Sequence, residues 1–321
     1  MATPGTEQLR FITKVALMYH EEGLNQPQIC AQLGIPQARV SRLLKQAVEL
    51  GIVRTTVVPP AELHVDWERE LVRAFGIQDV VIADAVDGHG HAVLGAAAAT
   101  YLESTLYGNE RLGISSWSAS LLATAEAMRP RPHRVATEVV QLLGGVGNPL
   151  AQVSATRLTA RFAELTGGEP RFLAAPGVVG SAAARDALLA DPYVHQVVEA
   201  WQGLTTALVG IGALEPSPLL AESGNSISDG DQAELRSLGG VGDVCLHYFD
   251  AAGDPVRSSL DERVLGIPAT LLRNVPRRIG VAGGMRKLEA IRAALRGGWI
   301  NILITDSQVA AALISEFKER N

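Results

Sequence analysis

The stretch VAGGMRKLEAIRAALRGG, from Val281 to Gly298, runs directly into WINILITD, from Trp299 to Asp306. An apolar strand ends at a pair of glycines, a helix follows with Lys287 one turn inside it, and a second apolar strand comes next. Backbone N–H groups at the start of a helix attract anions, and a lysine adds positive charge. The stretch therefore predicts an α/β domain with an anion-holding turn, and it leaves open whether the anion is converted or sensed.

Length and composition predict a globular protein of two domains. The chain has 321 residues, of which 47% are hydrophobic and 19% are charged, so a sizeable core is expected. Its two cysteines, Cys30 and Cys245, lie in apolar runs, as the reduced buried thiols of cytoplasmic proteins do. The start of the chain has no signal-peptide pattern, and no apolar run approaches the roughly 18 residues that span a bilayer. We therefore expect a cytoplasmic protein without a membrane partner.

Charge is distributed unevenly along the chain. The net charge of −6 argues, taken alone, against a nucleic-acid partner. Between Arg10 and Arg54, however, basic residues outnumber glutamates, and the acidic surplus belongs to the rest of the sequence. The basic N-terminal segment is therefore the candidate for nucleic-acid binding, although the rest of the chain is acidic.

The first sixty residues have the pattern of a winged helix-turn-helix. Apolar residues at helical spacing predict helices at 7–22, 26–33 and 37–50, with a turn at Gly34, and residues 52–58 alternate like a short strand. The outer face of the third helix is polar, and its Arg and Gln side chains can pair with base edges in the major groove. The alternative is a three-helix subdomain with an ordinary solvated face. The predicted contacts to operator DNA are Gln26, Gln37, Ala38, Arg39, Ser41, Arg42 and Lys45.

A linker is predicted after this segment. Pro59 and Pro60 interrupt regular structure, and Leu63, Trp67, Leu71 and Phe75 then recur at four-residue intervals of an amphipathic helix. This helix either packs on the second domain or mediates self-association. A dimer would place two DNA-binding domains on the two half-sites of an operator. The predicted organisation is 1–58 for a DNA-binding domain, 59–75 for the linker and oligomerisation helix, and 76–321 for an effector-binding domain.

The remainder alternates strands and helices. Continuous apolar runs such as ALVGIG and INILIT favour strands buried on both faces, which predicts a doubly wound parallel sheet. The predicted strands are 79–83, 111–114, 138–143, 171–174, 207–211, 243–249, 278–281 and 300–304. The predicted helices include 92–106, 120–128, 152–165, 285–295 and 308–317.

Ligands of such sheets bind where strands end and helices begin. Four turns at this edge carry hydroxyls, carboxylates, glycines or a lysine, which suit a phosphate or a polyhydroxy compound. Each feature also has a simpler explanation, because serines cap helices, aspartates hold turns and glycine pairs form tight turns. The predicted effector-binding residues are Ser116, Ser118, Ser120, Gln141, Asp243, Asp250, Gly283, Gly284 and Lys287.

Several other sites are not predicted. GGVGNP does not complete GxGxxG and no GxxxxGK[ST] occurs, so neither a dinucleotide nor a P-loop nucleotide site is expected. His89 and His91 lie close together but have neither thiolates nor a carboxylate cluster beside them, so no metal or cofactor is expected. An isomerase or deaminase is the alternative function. Asp243 and Asp250 could supply carboxylates, but no loop offers an evident histidine with them.

The chain resembles the SorC family of bacterial sugar-responsive transcriptional regulators. The segments that carry the resemblance are GLNQPQICAQLGIPQARVSRLLKQAVELGIV, GISSWSASLL, QLLGG, ALVGIG, VGDVCLHYFD and VAGGMRKLEAIRAALRGGWINILITD. The resemblance implies an N-terminal helix-turn-helix, a C-terminal sugar-binding domain similar to sugar-phosphate isomerases, and a dimer or tetramer without enzymatic activity. It also implies a phosphorylated sugar as effector.

One turn departs from the pattern of this family. The family's phosphate-holding turn reads like GISWG followed by a threonine or serine, whereas GISSWSAS is one residue longer and lacks that glycine. Ser118 and Ser120 are the matching hydroxyls. The resemblance likewise matches the aspartates of the GD and FD motifs to Asp243 and Asp250, and the lysine of GGxxK to Lys287. A non-phosphorylated sugar or a polyol therefore remains an alternative effector.

Overall fold

The computed structural model describes residues 5–54, 63–84, 90–146, 149–216 and 227–320, with only the backbone for 149–155 and 320. The chain divides into two compact units, Met1–Leu63 and His64–Asn321. The helix predicted at 63–75 belongs to the larger unit, because Leu71 is buried in one of its cores.

The smaller unit is a three-helix head, formed by α1 (Thr6–His20), α2 (Gln26–Leu33) and α3 (Gln37–Glu49). Asn25 starts α2 with a capping box: Asn25 Oδ1 accepts from the Gln28 N–H over 3.0 Å, and Gln28 Oε1 accepts from the Asn25 N–H over 2.9 Å. Gly34 ends α2 with φ at 64°, a left-handed value that suits glycine. The buried core of the head consists of Ile12, Val15, Ala16, Met18, Ile29, Val40, Leu43 and Ala47.

Two details of the head differ from the sequence predictions. Val48 continues the apolar spacing of the predicted third helix, which would point it inward, but it is 55% exposed. The reason is that α3 buries Val40, Leu43 and Ala47, and Val48 lies beyond that stripe. Residues 52 and 53 are bends and residue 54 is irregular, so these three form no strand. Residues 55–58, the rest of the predicted strand, lie outside the described residues together with Pro59 and Pro60.

The larger unit contains a seven-stranded sheet in which every pairing is parallel, in the order β1-β10-β9-β5-β2-β3-β4. This confirms the predicted parallel α/β architecture. Beside it lies a three-stranded antiparallel sheet, β6-β7-β8. The strands are β1 (Asp79–Ala83), β2 (Glu110–Ile114), β3 (Ala136–Gln141), β4 (Glu169–Arg171), β5 (Thr206–Val209), β6 (Gly212–Ala213), β7 (Gly240–Val244), β8 (His247–Asp250), β9 (Arg277–Val281) and β10 (Ile302–Asp306).

Helices cover both faces of the parallel sheet, and each face has its own core. Leu102 and Phe162 belong to one core, whereas Trp201, Ile291 and Leu313 belong to the other. The helices are α4 (Val65–Phe75), α5 (Gly90–Thr105), α6 (Ala119–Ala127), α7 (Pro149–Thr166), α8 (Ala182–Leu189), α9 (Pro192–Trp201), α10 (Asp229–Ser237), α11 (Ala269–Asn274), α12 (Leu288–Arg296) and α13 (Ser307–Arg320). Among the helices that the structure describes, none combines the length and apolar character needed to cross a membrane.

The segment predicted as one strand at 243–249 is a hairpin. Strands β7 and β8 pair in antiparallel fashion, with Val244 opposite His247, so only Cys245 and Leu246 form the turn. Both turn residues have positive φ, 54° and 62°, as a type I′ turn requires. The helix predicted at 285–295 also begins differently, with a short 3₁₀ segment, Met285–Lys287, before α12.

Candidate functional site

A cavity lies at the carboxyl ends of β2, β5 and β9. Five parts of the larger unit line it: residues 115–118, called the serine loop below; Leu143; residues 210–213 with Glu215 and Pro216; Asp243 with the β7–β8 turn; and Arg286 with Lys287. Parallel strands end at the same edge of a sheet, which is why segments distant in sequence converge there.

The hydroxyls of the serine loop hold the loop in place. Ser115 Oγ accepts from the Gly210 N–H over 3.1 Å, and Ser118 Oγ accepts from the Leu121 N–H over 3.3 Å as the N-cap of α6. Ser115 and Ser118 use these contacts as acceptors, so their hydroxyl protons can still be donated.

The Ser116 hydroxyl, unlike those of Ser115 and Ser118, both donates and accepts a hydrogen bond within the protein. It donates to the Leu143 carbonyl over 3.0 Å and accepts from Gln141 Nε2 over 3.1 Å. Gln141 is buried and also accepts from the Leu173 N–H over 3.2 Å. Gln141 therefore supports the loop from behind and is not among the described residues that line the cavity.

Trp117 is the residue of the serine loop that sequence reasoning did not single out. Its backbone φ is +63°, an uncommon value for a non-glycine residue, and its side chain is only 7% exposed. Its indole N–H has no partner among the described residues. Strained backbone of this kind concentrates at binding sites. The turn residues Cys245 and Leu246, also with positive φ, line the same cavity.

Asp243 is the buried carboxylate of the cavity wall. Its Oδ2 accepts from the Leu246 N–H over 2.9 Å. Burial raises the pKa of Asp243 to about 6, even though the Leu246 N–H and the charge of Lys287 lower it. Gly212 makes room for this carboxylate, because a Cβ at that position would collide with Oδ1.

Lys287 reaches the cavity from the segment after β9. Its Nζ donates to the Ile211 carbonyl over 2.7 Å. Burial lowers the pKa of Lys287, Asp243 raises it, and Arg286 lowers it. Arg286 lines the cavity beside it, and its position next to Lys287 was the only sequence signal that could have suggested it.

The glycine pair before Lys287 does not line the cavity. The Gly284 N–H donates to Asp306 Oδ2 over 2.6 Å, and a Cβ on Gly283 would collide with the same carboxylate. Gly284 has φ at 87°, which favours glycine. Instead of presenting N–H groups to the cavity, the pair therefore fixes the position from which Lys287 extends.

Two further predicted residues also lie away from the lining. Asp250 Oδ1 accepts from the N–H groups of Ala252 and Asp254, over 2.9 and 3.0 Å, and so closes a turn. Ser120 is buried in the first turn of α6, and its Oγ lies 3.2 Å from Nδ1 of His91. His89 lies outside the described residues. His247 on β8 is hydrogen-bonded within the protein, with its Nε2 2.7 Å from the Ile267 carbonyl.

The outer face of α3 in the head is exposed as predicted. The guanidinium of Arg39 lies 5.6 Å from the centroid of the Phe11 ring, a cation–π contact that orients it. Arg42 Nε donates to the Ala38 carbonyl over 3.3 Å, and Lys45 Nζ lies 3.9 Å from Glu49 Oε1. Gln37, Ala38, Arg39, Ser41, Arg42 and Lys45 are all exposed, whereas Gln26 at the start of α2 is half-buried.

Family models match both parts of the chain. The family model described as "Putative sugar-binding domain" matches residues 60–315, and the model of the MarR family matches residues 15–61. In the part of the chain that the structure describes, no group of three or more His, Cys, Asp or Glu side chains could hold a metal ion.

Relatives are similar over nearly the whole chain. The transcriptional regulator LsrR of Escherichia coli (strain K12) is 33% identical over 306 residues, which cover 94% of each chain. The deoxyribonucleoside regulator of Bacillus subtilis (strain 168) is 30% identical over 313 residues, 97% of this chain and 99% of that one.

Solved structures of the same kind share the fold. The full-length sorbitol operon regulator SorC from Klebsiella pneumoniae superposes with a TM-score of 0.73 at 26% identity, covering 96% of this chain and 100% of that one. The sugar-binding domain of a DeoR transcriptional regulator from Pseudomonas syringae pv. tomato gives a TM-score of 0.62 at 36% identity, covering 78% and 99%. The family match, the relatives and the shared architecture agree, and this chain belongs to the SorC family of sugar-binding transcriptional regulators.

Proposed function

We propose that the protein is a sequence-specific DNA-binding regulator whose effector, a sugar, sugar phosphate or polyol, binds in the cavity of the larger unit. One observation carries the proposal. Hydroxyls of the serine loop, the carboxyl of Asp243 and the ammonium of Lys287 converge on one cavity at the carboxyl edge of the parallel sheet. Such a mixture of donors and acceptors suits a polyhydroxy ligand.

Within the cavity, the residues have different roles. Asp243 accepts hydrogen bonds from effector hydroxyls, while Lys287 and the hydroxyl protons of Ser115 and Ser118 donate to effector oxygens. The strained backbone of Trp117 keeps the loop in the shape that the effector meets. Ser120, Gln141, Asp250 and Gly284 support this arrangement through hydrogen bonds within the protein, and Gly283 leaves room for the carboxylate of Asp306.

The head reads operator DNA with the exposed face of α3. Arg39, Arg42 and Gln37 contact base edges in the major groove, and Lys45 contacts a phosphate. The protein acts in the cytoplasm as a homo-oligomer, a dimer or a tetramer. Trp67 on α4, which is 37% exposed, is a candidate contact between copies. Effector binding changes how the larger units associate and so resets the spacing of the heads, provided that the effector prefers one arrangement.

An isomerase or deaminase is less well supported. General acid–base chemistry on a sugar needs a base with a suitable partner beside the reacting carbon. Asp243 Oδ2 accepts a backbone N–H, and no histidine is among the described residues that line the cavity. Turnover of a sugar phosphate by the purified protein would favour the enzyme.

The proposal is tested by a thermal-shift screen of the full chain against sugars, polyols and sugar phosphates. A ligand that binds only the native state raises the melting temperature. The best compound is then added to a DNA-retention assay with operator fragments. We expect Lys287→Ala to abolish the response to the compound while operator binding persists. Equal loss of both activities, or protection by no compound, would contradict the proposal.

A further inference from the structure

The guanidinium of Arg39 in the head is held by the ring of a residue on another helix. Its central carbon Cζ lies over the Phe11 ring of α1, 5.6 Å from the ring centroid. Phe11 is partly buried and packs against the core of the head, which gives its ring a fixed place. Each of the two residues is followed by a fully buried one, Ile12 on α1 and Val40 on α3, and both belong to that core. The packing of the two helices therefore sets where the guanidinium lies.

Arg39 occupies the part of α3 where a recognition helix meets base edges. It lies in the first turn, and its N–H donates to the Pro36 carbonyl over 2.9 Å. Side chains on a helix lean toward its N-terminus, and the N-terminal residues of a recognition helix contact the bases. The attraction between a cation and the face of a ring needs none of the guanidinium N–H groups as hydrogen-bond donors. The contact with Phe11 therefore leaves these donors for a guanine.

We propose that Phe11 is a specificity-determining positioning residue: without touching DNA, its ring holds Arg39 in the conformation that reads a base pair. An arginine side chain loses rotamer freedom when it binds, and a side chain that is already held in the free protein loses less. A cation–π contact at an exposed site is worth about two- to fivefold in affinity. This gain is confined to sequences that carry the base that Arg39 contacts. The inference rests on the proposed reading of operator DNA by α3.

The test uses the full-length protein and randomised DNA duplexes, with and without the compound found in the thermal-shift screen. The duplexes that the wild type selects supply an operator sequence and its single-base-pair variants. Phe11→Leu removes the ring but keeps an apolar side chain, and Phe11→Tyr keeps the ring. Tyr19→Leu is the matched control, because it removes another ring of α1 that is 39% exposed and lies 5.0 Å from the His20 ring. Arg39→Ala, alone and combined with Phe11→Leu, completes the set.

The quantity measured is the ratio of the affinities for the operator variants. A partly unfolded variant binds every sequence more weakly by the same factor, so a merely structural role of Phe11 would leave this ratio unchanged. We expect Arg39→Ala to relax the preference at one base pair, and Phe11→Leu to reduce the preference there by about two- to fivefold. Phe11→Tyr and Tyr19→Leu should keep the wild-type preference. Phe11→Leu should have no further effect once Arg39 is replaced by alanine.

Three results would overturn the inference: an unchanged preference in Phe11→Leu, tighter operator binding by Phe11→Leu, or an equal effect of Phe11→Leu with and without Arg39. Tighter binding would show that the ring keeps Arg39 away from the groove. If the wild type selects a sequence but Arg39→Ala relaxes no position, the regulator function stands and only the role of Phe11 fails. If no sequence is selected under either condition, both fail.

Discussion

The backbone N–H of Gly284 donates to Oδ2 of Asp306 over 2.6 Å, so the turn after β9 is tied to the end of β10. The second oxygen of Asp306 accepts from the Val309 N–H over 2.9 Å and caps α13. One buried carboxylate therefore fixes both the helix that follows it and the segment from which Lys287 extends.

Asp306→Ala should destabilise the protein by about 1–3 kcal/mol, because it leaves two backbone donors without their acceptor. Asp306→Asn keeps one carbonyl oxygen and should lie between the alanine variant and the wild type. Urea unfolding of the three proteins measures the difference. The effector response should also weaken in Asp306→Ala. A wild-type unfolding midpoint for this variant would show that the carboxylate does not hold the turn.

Gly212→Ala should displace Asp243, because the added Cβ would collide with Oδ1 of that carboxylate. We expect a loss of stability of about 1–3 kcal/mol and a loss of effector-induced thermal protection. Gly180→Ala is the matched control, since a Cβ there would meet no atom within 4 Å. If both variants respond to the effector as the wild type does, the carboxylate is not needed in its observed position.

Asp243→Asn should change how stability depends on pH. The carboxyl has a pKa near 3.8 when unfolded and about 6 when folded, so between these values the folded state keeps a proton that the unfolded state loses. The free energy of unfolding therefore falls as pH rises through this interval, by about 3 kcal/mol for two pKa units. The asparagine side chain does not titrate, so the variant does not show this fall in the free energy of unfolding. Relative to the wild type, its melting temperature should rise with pH from about 4 to 6 and then stay constant. A difference that does not vary with pH would contradict the raised pKa.

Much of the fold could be predicted because buried strands are recognisable in the sequence as continuous apolar runs. Strands β5 and β10 are buried at every position, and they are the strands that ALVGIG and INILIT predicted. The hairpin at 243–249 was missed because its turn is Cys245-Leu246. Two-residue turns with positive φ are normally indicated by asparagine, aspartate or glycine, and nothing in this dipeptide shows that tertiary contacts hold it there.

The candidate site was predicted only in part, because the partners of its side chains are distant in sequence. Serines at a helix start suggested ligand contacts, yet Ser116 is engaged by Leu143 and Gln141. Trp117 was passed over because no local pattern predicts a left-handed backbone at a tryptophan. Asp243 and Lys287 could be found because they lie close to strand ends, whereas the place of Arg286 in the cavity wall becomes visible only in three dimensions.

Arg39→Ala should weaken operator binding in a base-specific way. Arg39 is exposed at the start of α3 and held over Phe11, and a bidentate contact to guanine contributes about 1–3 kcal/mol of discrimination. Lys45→Ala should instead weaken binding evenly across sequences and reduce the salt dependence by about one counterion, as expected for a phosphate contact. Arg69→Ala in the larger unit is the control for a lost surface charge. Retention assays with operator variants over a series of salt concentrations distinguish these outcomes. If Arg39→Ala and Arg69→Ala have the same affinity for each operator variant, Arg39 does not contact the bases. Loss of a base-specific contact must change the order of preference among operator sequences.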